Sequence, residues 1–572
     1  MPYQAPVKDY KFLFEHVVGF DQVAHSDKFC EATPDLVDAV FNEAGRLAND
    51  VLAPLQRAGD LHPAVFENGK VRCSPGFADG YRAIADGGWI GMSSAQENGG
   101  MGLPVAMTAV VNEMMAGACL ALQLNPLMSQ GQIEALEHHA SDALKEIYLP
   151  KLISGQWCGT MNLTEPQAGS DVGALTSKAV PNGDGTFAIT GTKVFISWAD
   201  NDFSENICHL VLARLPDAPA GTKGISLFMV PKLIPDADGN PGVENSLKIV
   251  SLEHKTGLHA SPTAVMDFAG ATGWLVSQQH AGLKAMFTMM NNARLGVGIQ
   301  GLGAAEGAFQ HALSYAKERK QGRVPVEDGT GTIADHADVR RMLLTMKAEI
   351  HAARAIALAC GVAIDLGDAL ASDEWRARAA FLTPIAKAYG TETGSMVAAL
   401  GVQVHGGMGY IEETGAAQYA RDVRVTEIYE GTNGIQAMDL VARKMMDGGD
   451  VAFRMLDEIE EYTEAKRQQF PRMADAVWHA CETLREATEW LVGQKNMNDR
   501  FAGAVPYLRA FARVLGGYYH LKSAVADGGK AARSELAQFY IFRLLPEHTA
   551  LLAHAKAGAD GLYRISVDDL SG

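Results

Sequence analysis

One block of short β-forming runs interrupts a chain that otherwise repeats at helical period, and this limits the folds open to it. Helical periodicity begins with Leu36, Val37, Val40, Phe41, Ala44, Leu47, Val51 and Leu52 on one face. It continues through Phe77–Ala85, stopped by Gly87-Gly88, and resumes at Val105–Leu122 and Ile133–Ile153. From about Cys158 the texture changes. Thr186–Phe195, Cys208–Leu215, Ile225–Leu233, Leu247–Leu252 and Thr263–Phe268 are rich in β-formers and separated by Asn, Asp, Gly and Pro turns. Helices return near Gly282. The fold class is therefore mainly α with one middle β domain, antiparallel rather than built of β-α-β units. The expected organisation is an N-terminal extension (1–34), a helical domain (35–157), the β domain (158–280), a second helical domain (281–445) and an additional helical domain (446–572).

At 572 residues the chain is too long for one core. A formal net charge of −18 argues against a nucleic-acid partner or an anionic membrane surface. The seven cysteines are scattered with no C-x-x-C pair, which predicts neither a disulfide framework nor a zinc site, and a reducing compartment. The first twenty residues carry charges inside their apolar region, and the first arginine is Arg46, so no targeting peptide is expected. No apolar run is read as reaching the roughly 18 residues of a membrane span. A cytoplasmic enzyme is the expectation.

Three stretches carry chemistry. Gly296-Val297-Gly298-Ile299-Gln300-Gly301 fits G-x-G-x-x-G, but helix precedes and follows it, so the small residues predict close helix packing, not a dinucleotide turn. The Gly- and Ser-rich run from Thr160 to Gly173 offers backbone N–H groups and hydroxyls to a phosphate or ring edge. Around Glu430, a carboxylate stands between an aromatic (Tyr429) and a permissive glycine (Gly431). Thr432 or Asn433 is placed to cap a helix bearing Ile435, Met438, Val441 and Met445. Taken alone, that motif is an ordinary helix start.

Together, LTEPQAGSDVG (163–173), GTKVFIS (191–197), NNARLGVG (291–298), KERKQG (317–322), QVHGGMGY (403–410) and YEGTNGIQ (429–436) resemble the acyl-CoA dehydrogenases across roughly 35–445, in family order. The resemblance implies FAD as cofactor and Cα–Cβ desaturation of acyl-CoA thioesters, the setting being β-oxidation. It implies FAD contacts from Met161, Leu163, Thr164, Ser170, Phe195, Ser197, Arg319, Gln403, Gly407 and Thr432. Those of Arg319, Gln403 and Gly407 would lie largely across a subunit boundary. Ser170, Asn291, Arg294 and Gly431 would meet the substrate. The chain departs from the family at Phe195 and Ser197, where Trp and Thr are common, and at Asn291, which replaces an acid. It also lacks the usual aromatic after E-R-K-x in Glu318-Arg319-Lys320-Gln321-Gly322, and Gly434 stands where Gln is common.

The implied base is Glu430. A thioester α-proton is far less acidic than a carboxylic acid of pKa about 4.3, each unit of mismatch costing about 1.36 kcal/mol. The base alone cannot bridge that gap, and the resemblance implies that the carbonyl is polarised by the Glu430 N–H and a flavin ribityl hydroxyl. Some relatives carry the base before the Arg294 equivalent, but Asn291-Asn292-Ala293 holds no carboxylate. The extra C-terminal domain, EHKTGLHASPT (253–263) and MFTMMNNARLGVG (286–298) are similar to the branch containing 3-(methylthio)propanoyl-CoA dehydrogenases, which implies a short substrate and dimethylsulfoniopropionate catabolism. General short- or medium-chain acyl-CoAs are the alternative. Met114 and Met115 are either a thioether-friendly lining or core filler. Electron-transfer flavoprotein is the implied acceptor; an acyl-CoA oxidase would use oxygen instead. A DNA-associated flavoprotein of this fold needs a basic C-terminal domain, yet 446–572 holds 15 Lys+Arg against 18 Asp+Glu. Apolar faces at Phe501, Tyr507, Leu508, Phe511, Val514, Leu515 and at Phe539, Tyr540, Phe542, Leu544, Leu545 need cover. If they take the surface where shorter relatives dock a second dimer, the assembly is a homodimer.

Overall fold

The computed structural model describes residues 3–324, 326, 328–529 and 531–571, and the chain divides into two compact units. It opens with helices α1 (Val7–His16), α2 (Phe20–Ala24) and α3 (Pro34–Arg46). Residues 3–34 thus carry structure that the sequence reading did not assign. Tyr10, Leu13, Phe14 and Val17 are buried, an amphipathic face in a segment read only for targeting signals.

The first unit spans residues 42–296 with the extreme N-terminus. A π-helical turn (Leu47–Leu52) leads into α4 (Ala53–Leu61), and a hairpin of β1 (Val65–Glu67) and β2 (Lys70–Arg72) interrupts the expected all-helical run. Then come α5 (Phe77–Asp86), ended by Gly87 and by Gly88 at φ +70°, α6 (Val105–His139) and α7 (Asp142–Ile153). Helix α6 crosses a stretch expected to separate two helices. Its polar residues Gln123, Asn125, Ser129, Gln130 and Gln132 discourage a helix reading, yet all are buried. Asn112 Nδ2 donates to Gln130 Oε1 at 2.8 Å, and Ser129 Oγ accepts from Gly159 N at 3.0 Å. Cys119 leaves helical geometry (φ −153°, ψ 89°), and Gln56 Oε1 accepts the N–H of Leu120 beside that break at 3.2 Å.

The strands of the β domain are β3 (Trp157–Asn162), β4 (Lys178–Pro181), β5 (Phe187–Ser197), β6 (Asn206–Arg214) and β7 (Ile225–Pro231). They are followed by a small hairpin of β8 (Leu233–Pro235) and β9 (Pro241–Glu244), then by β10 (Leu247–Leu252) and β11 (Thr263–Leu275). Ladders run β10-β11-β5-β4-β6-β3, and β7 pairs with both β11 and β6, so the sheet closes on itself around Phe187, Ile189, Ile196, Val211, Phe228 and Phe268. The antiparallel expectation holds except at β6, which runs parallel to β3 and, through Lys178 and Arg214, to β4.

The second unit holds residues 6–41 and 297–572. Besides α1, α2 and most of α3, it holds the end of α8 (Gly282–Glu318), then α9 (Ala337–Ala369), α10 (Asp373–His405), α11 (Ala416–Val423), α12 (Asn433–Val441), α13 (Asp450–Lys466) and α14 (Pro471–Gly493). The last four are α15 (Met497–Ala502), α16 (Ala504–Ala526), α17 (Ala532–Phe539) and α18 (Glu547–Ala555). The G-x-G-x-x-G run lies inside α8. A Cβ on Gly298 would stand 2.6 Å from the Ala386 carbonyl oxygen, and one on Gly301 2.5 Å from that of Gly390, so these glycines let α8 and α10 touch backbone to backbone. Gly516-Gly517, a pair with the composition of a helix break, lies inside unbroken α16. A Cβ on Gly516 would meet the Tyr540 hydroxyl at 2.2 Å.

Helices α6 and α9 are long and apolar enough to cross a bilayer by length and composition, contrary to the expectation of no such run. In each, 94% of the apolar window is buried inside the protein, the pattern of a core helix. Met114 and Met115 are fully buried in α6 as core side chains.

Candidate functional site

In the first unit, the loop after β3 is organised by Glu165, buried and ringed by donors. Its Oε1 accepts from Lys193 Nζ (2.8 Å), Ser177 N (3.1 Å) and Ser177 Oγ (2.6 Å). Its Oε2 accepts from Thr176 N (2.7 Å), Thr176 Oγ1 (2.9 Å) and Gln167 Nε2 (2.7 Å). Burial alone would raise this carboxyl's pKa. The Lys193 charge and the hydroxyl and amide donors overcome that and bring it down to about 2. Lys193, in the middle of β5 and fully buried, also donates to the Leu163 carbonyl at 3.1 Å. Farther along, Asp171 accepts from Gly173 N at 3.0 Å, and Arg214 Nη2 donates to the Gly173 carbonyl at 2.5 Å. Ser170 is exposed between these anchors, and Met161, Leu163 and Thr164 are half-buried.

The same lysine stands two residues before Phe195. The β5–β11 register slips between the Ile196↔Ala264 and Lys193↔Met266 pairs, a bulge that re-aims the strand. Phe195 takes φ +61° and is 63% exposed, a conformation that costs a non-glycine residue roughly 1 kcal/mol or more. Val194 N donates to the Thr164 carbonyl at 3.0 Å, so the Leu163–Thr164 loop and the Phe195 bulge form one surface with Ser197 half-buried beside it. An outward-held aromatic next to half-buried backbone and hydroxyl groups fits a flat, polar-edged ring system. Asn291 and Arg294 lie on the opening turns of α8, Asn291 exposed and Arg294 buried.

In the second unit, Glu430 follows a 3₁₀ turn (Arg424–Glu427) and precedes α12. It is half-buried at φ +55°, and Gly431 continues the left-handed path at φ +83°. Gln436 Nε2 reaches back to the carbonyls of Glu430 and Gly431, both at 3.2 Å. Thr432 caps α12, its Oγ1 accepting from Ile435 N at 3.3 Å. Tyr429 donates its hydroxyl to Gln300 of α8. Burial, then the neighbouring Glu430 charge, push this phenol's pKa far up, so it stays protonated and is no competing base. The face of α12 that packs inward is Gln436, Ala437, Leu440 and Val441, while Met438, expected on the apolar face, is exposed.

The sequence-derived residues therefore fall into groups. Leu163, Thr164 and Phe195 are brought together, and Glu430, Gly431 and Thr432 share one pinned turn. Arg319, Gln403 and Gly407 are exposed at the ends of α8 and α10. Glu165, Lys193 and Gln436 stand inside quoted motifs without having been assigned a role. A lysine inside a β-forming run was the available signal, since burying it requires a partner.

Models of the acyl-CoA dehydrogenase N-terminal, middle and C-terminal domains match residues 39–156, 160–271 and 280–446, and an acetyl-CoA dehydrogenase C-terminal-like model matches 455–566. The 3-methylmercaptopropionyl-CoA dehydrogenase of Ruegeria pomeroyi is 45% identical over 94% of both chains. The chain belongs to the acyl-CoA dehydrogenase family. A butyryl-CoA dehydrogenase of Syntrophomonas wolfei is 32% identical over 95% of both chains. Among solved structures, Caenorhabditis elegans ACDH-11 in complex with C11-CoA superposes with a TM-score of 0.77 at 19% identity, covering 98% of this chain and 96% of its own. The Megasphaera elsdenii butyryl-CoA dehydrogenase matches at a TM-score of 0.60 and 24% identity, covering 97% of its own chain but 71% of this one. The enzyme is an acyl-CoA dehydrogenase with FAD as cofactor, and the aromatic surface at Phe195 and Thr164 fits that group.

Proposed function

We propose that the enzyme desaturates a short acyl-CoA thioester between Cα and Cβ, with 3-(methylthio)propanoyl-CoA as its preferred substrate and Glu430 as the base. The 45% identity to the Ruegeria enzyme over nearly the whole chain carries the substrate reading. The proposed FAD contacts are Met161, Leu163, Thr164, Ser170, Phe195 and Ser197 of the β domain and Thr432 of the helical domain, with Arg319, Gln403 and Gly407 contributing largely across a subunit boundary. When bound, FAD supplies the acceptor for the hydride that leaves Cβ. The chain's own part is to place the thioester and take the α-proton. Glu430 receives it on its carboxylate, its backbone carbonyl being held by Gln436, and its N–H polarises the thioester carbonyl. Ser170, Asn291, Arg294 and Gly431 position the acyl-CoA.

Anaerobic flavin bleaching against a panel of acyl-CoAs tests the substrate. We expect kcat/KM to be highest for 3-(methylthio)propanoyl-CoA or butanoyl-CoA; a steady climb from C4 to C16 would refute this. Electron-transfer flavoprotein is the proposed acceptor, in the cytoplasm, which the seven free cysteines favour. Peroxide release in air at the turnover rate would identify an oxidase instead.

For assembly we propose a homodimer. Tyr507, Leu508, Phe511, Val514 and Leu515 are buried on α16 within the protein's own second unit, so this face is already covered in cis. Light scattering should give a mass near two chains; a mass near four would show that the C-terminal domain leaves tetramer formation intact.

A further inference from the structure

The stretch of α10 from Lys387 to Glu392 is gripped on two sides. On one side it holds the start of α12. Lys387 Nζ donates to Asn433 Oδ1 at 2.9 Å, and Asn433 Nδ2 donates to Thr391 Oγ1 at 3.0 Å and to the Ala388 carbonyl at 3.3 Å. Asn433 is the first residue of α12, three after Glu430. On the other side the grip comes from α16, in the C-terminal domain. Arg513 bonds Glu349 of α9 and donates to the Tyr389 hydroxyl at 3.0 Å; that hydroxyl donates to Glu349 Oε2 at 2.5 Å. One turn earlier, Arg509 Nε donates to Glu392 Oε2 at 2.7 Å, and Glu392 Oε1 lies 3.5 Å from Asn433 Nδ2. The far end of α12 is held from the same domain, by Arg500 Nη1 on the Val441 carbonyl at 3.4 Å.

We propose that the C-terminal domain is a positioning device for Glu430 supplied by the same chain, with Arg509, acting through Glu392 and Asn433, as its positioning residue. The physical case rests on where rigidity is needed. Glu430 sits in a left-handed turn, and such a conformation persists only where its surroundings over-determine it. Glu430 itself is held locally by Gln436, but α12, which carries Gln436, must be held in turn. Its N-terminal residue is tied to α10 and its last carbonyl to Arg500. Helix α10 is set by two arginines spaced four residues apart on one face of α16. Glu392 is largely buried. Burial raises its carboxyl's pKa, against the opposing pull of Arg509, so loss of that arginine leaves a buried acid poorly balanced beside Asn433. Arg509 bonds Glu392 rather than Glu430 and also feels the charge of Glu427 just before that turn, so its grip reaches Glu430 through α10 and α12 and through the field at Glu427.

The inference rests on the desaturase reading, and its test separates the two. Arg509→Met keeps side-chain bulk and removes the charge. It should fold, since Arg509 is about half exposed. We expect the rate of flavin reduction by a saturating acyl-CoA to fall about tenfold, with acyl-CoA affinity, FAD content and melting temperature near wild type. Hydrogen exchange across residues 428–436 should quicken in the same holoenzyme, a readout that needs no substrate. Arg509→Lys should recover most of the rate. The double variant with Glu392→Gln should be no slower than the slower single variant, because both break one chain of contacts. Unchanged reduction and exchange would overturn the proposal, as would a rate loss that merely follows lost FAD. If wild type is bleached by no acyl-CoA, the desaturase reading fails, while the exchange comparison still decides whether Arg509 steadies the Glu430 turn.

Discussion

The Glu430→Gln variant will fold, retain FAD and bind acyl-CoA, and its flavin will be reduced about 10²–10⁴-fold more slowly than wild type. Glutamine keeps the side-chain shape and the backbone N–H but removes the proton acceptor. The backbone around residue 430 is set by groups the substitution does not touch. Gln436 Nε2 binds the carbonyls of residues 430 and 431, Thr432 caps α12, and Gly431 takes φ +83°. Tyr429, the neighbouring titratable group, donates its proton to Gln300 and cannot substitute. Stopped-flow absorbance after anaerobic mixing with substrate measures the effect. Near-normal bleaching would place the base elsewhere.

The second large effect is expected at the buried Lys193–Glu165 pair. Glu165 contributes stability because its folded pKa, about 2, lies below the unfolded value of about 4.3. That contribution is about 3 kcal/mol; it is fully present above the unfolded value and is lost as pH falls toward 2. Burial of Lys193 opposes this by a similar amount, pulling its ammonium down to about 8 although the Glu165 charge pushes it up. The intact pair is therefore close to neutral for stability, and its effect shows when one member is removed. Glu165→Ala strands a buried ammonium and leaves the donors of Thr176 and Ser177 unmatched, a loss of about 3–5 kcal/mol. The Leu163 carbonyl is held by the same lysine, and the Thr164 carbonyl by the strand bearing Phe195. The loss should therefore appear as FAD release before global unfolding. Flavin fluorescence against pH should show wild type holding FAD above about pH 4 and releasing it below, with Glu165→Ala releasing it already near neutral pH. A variant with wild-type FAD retention would show that the loop does not depend on the pair. Lys193→Met with Glu165→Leu, removing both charges, should recover part of the stability.

What the sequence determined by itself was the order of elements and the local chemistry of its motifs. Gly282 starts a helix and Leu247–Leu252 forms a strand with the expected bounds. Gly431 and Thr432 do what a glycine and a cap before an apolar run must do, because φ and capping preferences act within a few residues. Long-range partners decided the rest. Periodicity does not show that β3 runs parallel to β6, since a parallel strand buried on both faces has no alternation to read. Gly516-Gly517 has the composition of a break, but the Tyr540 hydroxyl fills the space a side chain would need, and α16 runs straight through. The polar residues of α6 argue for a loop until Gly159 and Asn112 supply partners. Phe195 turns outward because β5 and β11 slip register, and Glu165 is an anchor because Lys193, 28 residues later, is buried beside it. Short-range preferences are written in neighbouring residues; register, helix contact and ion pairing are settled only when distant segments meet in the folded chain.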